Sequence, residues 1–130
     1  MKKSVLFILV IFLCVSVFSS CSSLGNANPY DLALKLEEKN YDVYIGIDGN
    51  DLYTLVSGLG IDEDNIHCLL IVKSSTKDST AVIIFCYETS TAEDVEEAFS
   101  NLKNNNEIEI VKRDGKVVFV GPESILDEIQ

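Results

Sequence analysis

Two apolar runs separated by a short polar segment decide the fold: residues 66–73 read IHCLLIVK and residues 80–87 read TAVIIFCY. Between them, residues 74–78 (SSTKD) provide a polar loop of about five residues. Apolar runs of strand length on either side of such a loop predict a β-hairpin. Both runs are apolar at consecutive positions, whose side chains point to opposite faces of a strand. We therefore place both strands at the centre of a sheet.

A second hairpin is predicted near the carboxyl end, where residues 107–112 and 116–120 surround the dipeptide Asp114-Gly115. Asp-Gly favours the type I′ turn of a two-residue hairpin loop. That turn sets two cross-strand pairs, Ile110 with Phe119 and Val111 with Val118. Upstream, residues 41–47 follow an alternating pattern that predicts a further strand with one covered face.

Four segments are predicted to be helical. Asn28-Pro29 combines a helix cap with proline at the first helical position, and a helix is expected to follow as far as Asn40. Three more helices are expected at residues 52–59, at residues 92–102 and after Gly121-Pro122. The resulting order is α-β-α-β-β-α-β-β-α. It predicts an α+β fold, with a single mostly antiparallel sheet of four or five strands and helices mainly on one face.

The strands leave an excess of apolar side chains on one face of this sheet. If the helices cover the face that bears Val43 and Phe119, the opposite face receives Tyr44, Val111, Val118 and Val120. A sheet with one open face normally alternates apolar with polar residues, so this face needs a cover. The helix expected at 52–59, the helix after Gly121-Pro122, a second copy or a ligand could supply that cover. We treat the four residues as a candidate interaction face, because exposed apolar patches mark binding sites.

The first twenty residues have the pattern of a signal peptide. Lys2 and Lys3 give a positive start, and eleven unbroken apolar residues follow at positions 5–15. A helix that crosses a bilayer needs about 20 apolar residues, so this run is too short and fits a cleaved leader. The sequence therefore predicts export to an extracytoplasmic location.

Directly after the apolar run, residues 18–23 read FSSCSS, with two small residues before Cys21. This segment resembles the lipobox of bacterial lipoproteins, which usually has leucine where this sequence has Phe18. The resemblance implies transfer of diacylglycerol to the Cys21 thiol, cleavage before Cys21 and a membrane anchor of acyl chains such as palmitate. Cleavage nearby without lipidation, which gives a freely secreted protein, is the alternative.

Residues 22–28 (SSLGNAN) are small and polar and predict a tether. We therefore divide the chain into a signal peptide at 1–20, a lipidated cysteine with a short tether at 21–28, and a single α+β domain at 29–130. The closing stretch GKVVFVGPESILDEI, residues 115–129, is similar to small lipoproteins of low-GC Gram-positive bacteria that carry no assigned activity. This second resemblance contains no chemical motif and implies no functional residues.

The charge of the chain argues against a nucleic-acid partner. Ten basic and 21 acidic residues give a net charge of −11. Lys2 and Lys3 lie in the leader, which has no carboxylate, so residues 21–130 carry −13. Such a field repels phosphate backbones and anionic lipid head groups, and no stripe of Lys or Arg overcomes it locally. The acidity is typical of a solvated surface that keeps an exported domain soluble, and a site for cations or basic partners is the alternative.

The sequence lacks the motifs of catalytic and metal sites. His67 is the sole histidine and adjoins Cys68 on a predicted strand, where neighbouring side chains point to opposite faces, so the two form no dyad. The acidic runs at 48–51 and 62–65 cluster oxygen atoms but break the EF-hand ligand frame, and they fit turns and helix caps better. We assign no catalytic residue, no metal ligand and no cofactor.

Cys68 and Cys86 fall on the two strands of the central hairpin. A loop with an odd number of residues, such as five, would place them on the same face and nearly opposite each other. Cross-strand Cα distances of about 4.5–5.5 Å permit a disulfide, and export permits its oxidation. Free cysteine is also among the most buried residue types. We favour two packed thiols and keep the disulfide as the alternative.

These observations indicate a membrane-tethered, non-enzymatic binding or interaction module with an unknown ligand. Its expected partners are the membrane, through the lipid on Cys21, and either a second protein or another copy of the chain. The alternative function is an envelope structural or assembly component that acts through oligomerisation or a protein complex.

Overall fold

Five strands form one sheet in the computed structural model, which describes residues 24–47, 56–76, 79–103 and 108–129. The strands are β1 (Tyr41–Gly46), β2 (Ile66–Ser74), β3 (Thr80–Cys86), β4 (Ile110–Asp114) and β5 (Val117–Gly121). The helices are α1 (Pro29–Glu38), α2 (Thr89–Lys103) and α3 (Glu123–Ile129), with 3-10 turns at Leu24–Asn26 and Glu63–Asn65. Residues 56–58 are helical as well, and the rest of the helix expected at 52–59 lies outside the described residues, except for Leu59.

The strand order is β1-β2-β3-β5-β4, and every neighbouring pair is antiparallel. Both strands of the central hairpin, β2 and β3, have a neighbour on each side, as their uninterrupted apolar character predicted. The expected α+β fold with a single antiparallel sheet is therefore confirmed.

The helices lie on both faces of the sheet, and the prediction that they lie mainly on one face was wrong. Helices α1 and α3 cover one face, where Leu70 and Ile83 are completely buried. Helix α2 and residues 56–61 cover the other, where Leu69 and Ile84 are completely buried. Since β2 and β3 are apolar on both faces, each face needs a cover of its own. We call the two sides the α1 face and the α2 face.

Helix α1 begins as the sequence predicted. The Oδ1 atom of Asn28 accepts hydrogen bonds from the backbone N–H groups of Tyr30, at 2.9 Å, and Asp31, at 3.3 Å. Pro29 occupies the first turn, where its missing N–H costs nothing. The cap therefore satisfies two of the backbone donors that a helix start leaves without partners.

The folded part of the chain starts earlier than predicted, because residues 24–28 are not a free tether. Leu24 is 4% exposed and packs into the core on the α1 face. A Cβ atom built on Gly25 would lie 2.7 Å from the backbone oxygen of Asp114, so the turn Leu24–Asn26 rests directly on the end of β4. A single leucine among small polar residues has no periodicity that would have predicted this burial.

The β4–β5 turn uses different residues from those predicted. Asp114 pairs with Val117, so Gly115 and Lys116 form the two-residue loop. The dihedral φ is 60° at Gly115 and is not positive at Lys116, which is typical of a type II′ turn with glycine first. The predicted pairs are consequently displaced by two residues: Ile110 lies opposite Gly121 and Val111 opposite Val120. A displacement of two leaves every side chain on its predicted face.

Candidate functional site

The four residues of the predicted interaction face do lie on one face of the sheet, the α2 face. Three of them belong to a single cross-strand row, in which successive neighbours are Tyr44, Ile71, Val82, Val120 and Val111. Val118 occupies the next row on the same face, between Ile84 of β3 and Arg113 of β4. The sequence therefore placed these side chains on the correct side of the sheet.

Helix α2 covers most of this predicted face, so it is not an open surface. Val118 is completely buried and Val120 is 7% exposed, and both pack in the core that contains Val95 and Phe99 of α2. Val111 packs against the edge of the same core. The interaction-face hypothesis is therefore wrong for these three valines, and their cover is the helix expected at 92–102, which was not one of the two helices expected to supply it.

The opposite half of the same row remains open to solvent. Tyr44 is 58% exposed at the middle of β1, and its neighbours Ile71 and Val82 are half-buried. We call these three residues the open strip. Helix α2 packs against β3, β4 and β5, and this placement leaves the β1 side of the row uncovered. The sequence pointed to Tyr44, and the apolar central hairpin predicted further apolar side chains on this face, but no local pattern showed that Ile71 and Val82 stay partly uncovered.

A groove continues from the open strip towards α2. It has a volume of about 410 Å³, and its apolar floor and polar rim share Val82 with the strip. The floor consists of Val82, Phe99, Ile108 and Val120, and the rim includes Ser79, Thr80 and Glu109. An apolar floor with a few polar groups at its edge is the usual composition of a binding site.

Cys68 and Cys86 are free thiols in different cores. Cys68 packs on the α1 face and Cys86 on the α2 face. The hairpin loop explains this outcome: Lys73 pairs with Thr80, and the N–H of Ser74 donates to the carbonyl of Ser79 at 3.0 Å. Four residues rather than five therefore form the loop, and a change of one residue moves Cys86 to the other face. The disulfide alternative is contradicted by this geometry.

Burial makes both thiols poor nucleophiles. Desolvation raises the pKa of Cys68 to about 11 and the pKa of Cys86 to about 12. In a folded domain that lacks Cys21, we expect neither Cys68 nor Cys86 to be modified by a thiol reagent at pH 8. When the same protein is unfolded without reductant, both thiols should be modified. Counting the modified thiols by mass checks this, and a count of zero in the unfolded protein would restore the disulfide.

The same burial predicts a loss of stability in alkali. The thiols of the unfolded chain ionise near pH 9.0, whereas the buried thiols stay neutral until about pH 11 to 12. Their contribution to the free energy of unfolding is therefore complete below pH 9.0 and is lost as the pH rises towards those values. Urea denaturation across this range should show a shallower decline in Cys86→Ala than in the parent, and equal slopes would contradict the prediction.

Among the described residues, the candidate metal-binding and catalytic groups do not converge. His67 is exposed, with its ring 5.3 Å from that of Tyr87, whereas Cys68 is buried. Asp62 caps the turn Glu63–Asn65 by accepting from the N–H of Asp64 at 3.0 Å. Within the described ranges, no group of three His, Cys, Asp or Glu side chains could hold a metal ion. The acidic run at 48–51 lies outside those ranges.

Cys21 and the leader also lie outside the described residues. In the part of the chain that the structure covers, none of the helices has the length and apolar character needed to cross a membrane. Comparison of the chain with protein-family models, with curated proteins and with solved structures finds no match.

Proposed function

We propose that the mature protein is an extracytoplasmic lipoprotein that works as a non-catalytic interaction module on the membrane surface. The leader and the lipobox-like segment before Cys21 support export and anchoring. The observation that carries the interaction role is Tyr44, an aromatic side chain 58% exposed at the centre of a strand whose row is otherwise apolar.

The open strip has the composition of the centre of an interface. Tyrosine is enriched among the residues that contribute most to protein–protein binding, and here it stands beside the apolar side chains of Ile71 and Val82. One side of the strip is bordered by the next row on the same face, which holds the exposed, opposed pair Asp42 and Lys73 and suits a polar rim. A bound partner would remove Tyr44 from water without any rearrangement of the core.

The strip alone is too small for a stable complex. A specific protein interface buries about 800 Å² on each partner, several times the area that three side chains can offer. The groove floored by Phe99 and Ile108 extends the strip across the sheet, because both surfaces include Val82. We therefore propose a protein segment that lies across the strip and enters the groove.

Photo-crosslinking tests this proposal in the intact, membrane-bound protein. A photoreactive phenylalanine analogue at position 44 is expected to give an adduct of discrete mass. The same analogue at position 87 is the matched control, because Tyr87 is 55% exposed but lies outside the strip and should give no such adduct. No adduct from position 44, or the same adduct from both positions, contradicts the proposal. An adduct of twice the mass of the chain supports the assembly alternative instead.

A further inference from the structure

The turn Leu24–Asn26 is fixed to the tip of the β4–β5 hairpin. The carbonyl of Leu24 accepts a hydrogen bond from the N–H of Ala27 at 3.1 Å, while the Leu24 side chain is buried in the core. A Cβ atom on Gly115 would lie 3.7 Å from the Cα of Gly25, and one on Gly25 would lie 2.7 Å from the oxygen of Asp114. The backbones of the turn and the hairpin tip are therefore in contact.

The number of residues between Cys21 and Gly25 limits the distance between the hairpin tip and a lipid anchor on Cys21. Four peptide units join Cys21 to Gly25, and fully extended they span at most about 15 Å. Acyl chains on the Cys21 thiol place that residue at the level of the lipid head groups. The hairpin tip is then held near the head groups, whatever path the intervening residues take.

The sequence contains no long stripe of Lys or Arg, but the fold brings a short basic cluster to the hairpin tip of an otherwise acidic domain. Residues 112–116 read KRDGK and hold three of the eight basic residues found after the leader. Lys112 and Lys116 are exposed, whereas Arg113 is half-buried and its Nε lies 3.3 Å from the carboxylate of Glu96. The ion pairs of the described residues are Arg113–Glu96 and Lys39–Glu128, and neither involves Lys112 or Lys116. Both ammonium groups are therefore available to an external anion.

We infer that Lys112 and Lys116, at this tip, contact the head groups of anionic phospholipids when the domain is anchored to a membrane. This inference rests on the proposed lipidation of Cys21. The rest of residues 21–130 holds five basic and 20 acidic side chains, so an anionic membrane repels it. Attraction at the tip and repulsion elsewhere orient the domain, with the β4–β5 turn towards the bilayer.

The opposite end of the sheet provides an internal control. Lys112 lies opposite Phe119, which pairs with Ile83, so it is two residues of β3 from the level of the turn at Phe85. Lys73 pairs with Thr80, so five residues of β3 separate it from that level. At about 3.4 Å per residue this is roughly 17 Å. Charges that far from the surface are screened, because the Debye length at physiological salt is about 8 Å. Lys73 is exposed, and the charge of the membrane should not change the reactivity of its amine.

Lysine labelling on the native lipidated protein tests the orientation. Acylation is first established by intact mass, and the protein is placed in vesicles of phosphatidylcholine, alone or mixed with phosphatidylglycerol. An amine reagent confined to the outside should modify Lys112 and Lys116 about fivefold more slowly on the mixed vesicles, the factor that an attraction of ~1 kcal/mol per basic side chain gives. Lys73 should react equally on both, and high salt should abolish the difference.

A second experiment removes the charges of the two lysines. It measures the rate of amide hydrogen exchange in the peptide that spans the β4–β5 turn. The parent should exchange more slowly on mixed than on neutral vesicles. That difference should vanish in the double variant Lys112→Gln with Lys116→Gln and persist in Lys35→Gln with Lys73→Gln. A protein without acyl mass would overturn the proposed function. An acylated protein whose two tip lysines react equally on both vesicles, or whose Lys73 is slowed as well, would overturn this inference alone.

Discussion

Val118→Lys is expected to unfold the domain or to leave it only marginally stable. Val118 is completely buried between the sheet and α2, in the core that contains Val95 and Phe99. The nearest ionisable neighbour in its row, Arg113, carries the same charge as lysine and already pairs with the nearby carboxylate of Glu96. A buried charge without an opposite partner costs several kcal/mol, comparable with the total stability of about 5–15 kcal/mol of a typical domain.

Urea denaturation of a domain lacking Cys21 measures this effect. Tyr44→Lys is the matched control, because position 44 belongs to the same face but is 58% exposed. A surface substitution of this kind should change the free energy of unfolding by no more than about 0.5 kcal/mol. If Val118→Lys had the midpoint of its parent, α2 would not be the cover of that face in solution.

Periodicity was sufficient to predict the strands and which residues within one strand share a face. Val43 and Tyr44 were assigned to opposite sides because successive strand residues alternate, and the structure places them so. The same alternation in the central hairpin implied two buried faces, since Leu69 and Leu70 are consecutive and both become completely buried. The expectation of helices on one face failed because two buried faces in the central strands require a helical cover on each side of the sheet.

Register was harder to predict because it depends on a single residue in each loop. The central loop has four residues rather than five, and this difference alone separates Cys68 from Cys86. At Asp114-Gly115 the sequence favours a type I′ turn, yet the aspartate extends β4 and the glycine takes the first loop position. The two registers of the β4–β5 hairpin differ by two residues and keep every side chain on the same face, so the hydrophobic pattern does not distinguish them.

The extent of the open strip could not be read from the sequence, because it depends on where α2 lies. The stripe of Ala92, Val95 and Phe99 predicts that one side of this helix is buried, but not which strands it meets. Tertiary packing sets it over β3, β4 and β5, so that Val118 is covered and Tyr44 is not. The open strip exists only because α2 does not cover it, and no pattern within the sequence of the strip itself predicts this.

Cys21→Ala is expected to abolish lipidation and the cleavage that depends on it. The product should be a precursor that keeps the leader, heavier than the mature chain by residues 1–20 and lacking acyl mass. The domain should still fold, because its first described residue, Leu24, and every core residue are unchanged. Intact mass of membrane-extracted protein decides the outcome, since the apolar run at 5–15 of an uncleaved leader can itself hold a precursor at the membrane.

Cys14→Ala is the matched control for this prediction. Cys14 lies inside the apolar run, and the residue before it is Leu13, where lipidation requires a small side chain. This variant should give the mass of the parent, with a mature chain that begins at Cys21 and carries two or more acyl chains. At about 0.8 kcal/mol per buried CH₂, two such chains anchor a protein stably, whereas a single chain binds marginally. A parent protein without acyl mass, or one that begins at any other residue, would identify a secreted protein and would remove the anchor on which the orientation of the β4–β5 turn depends.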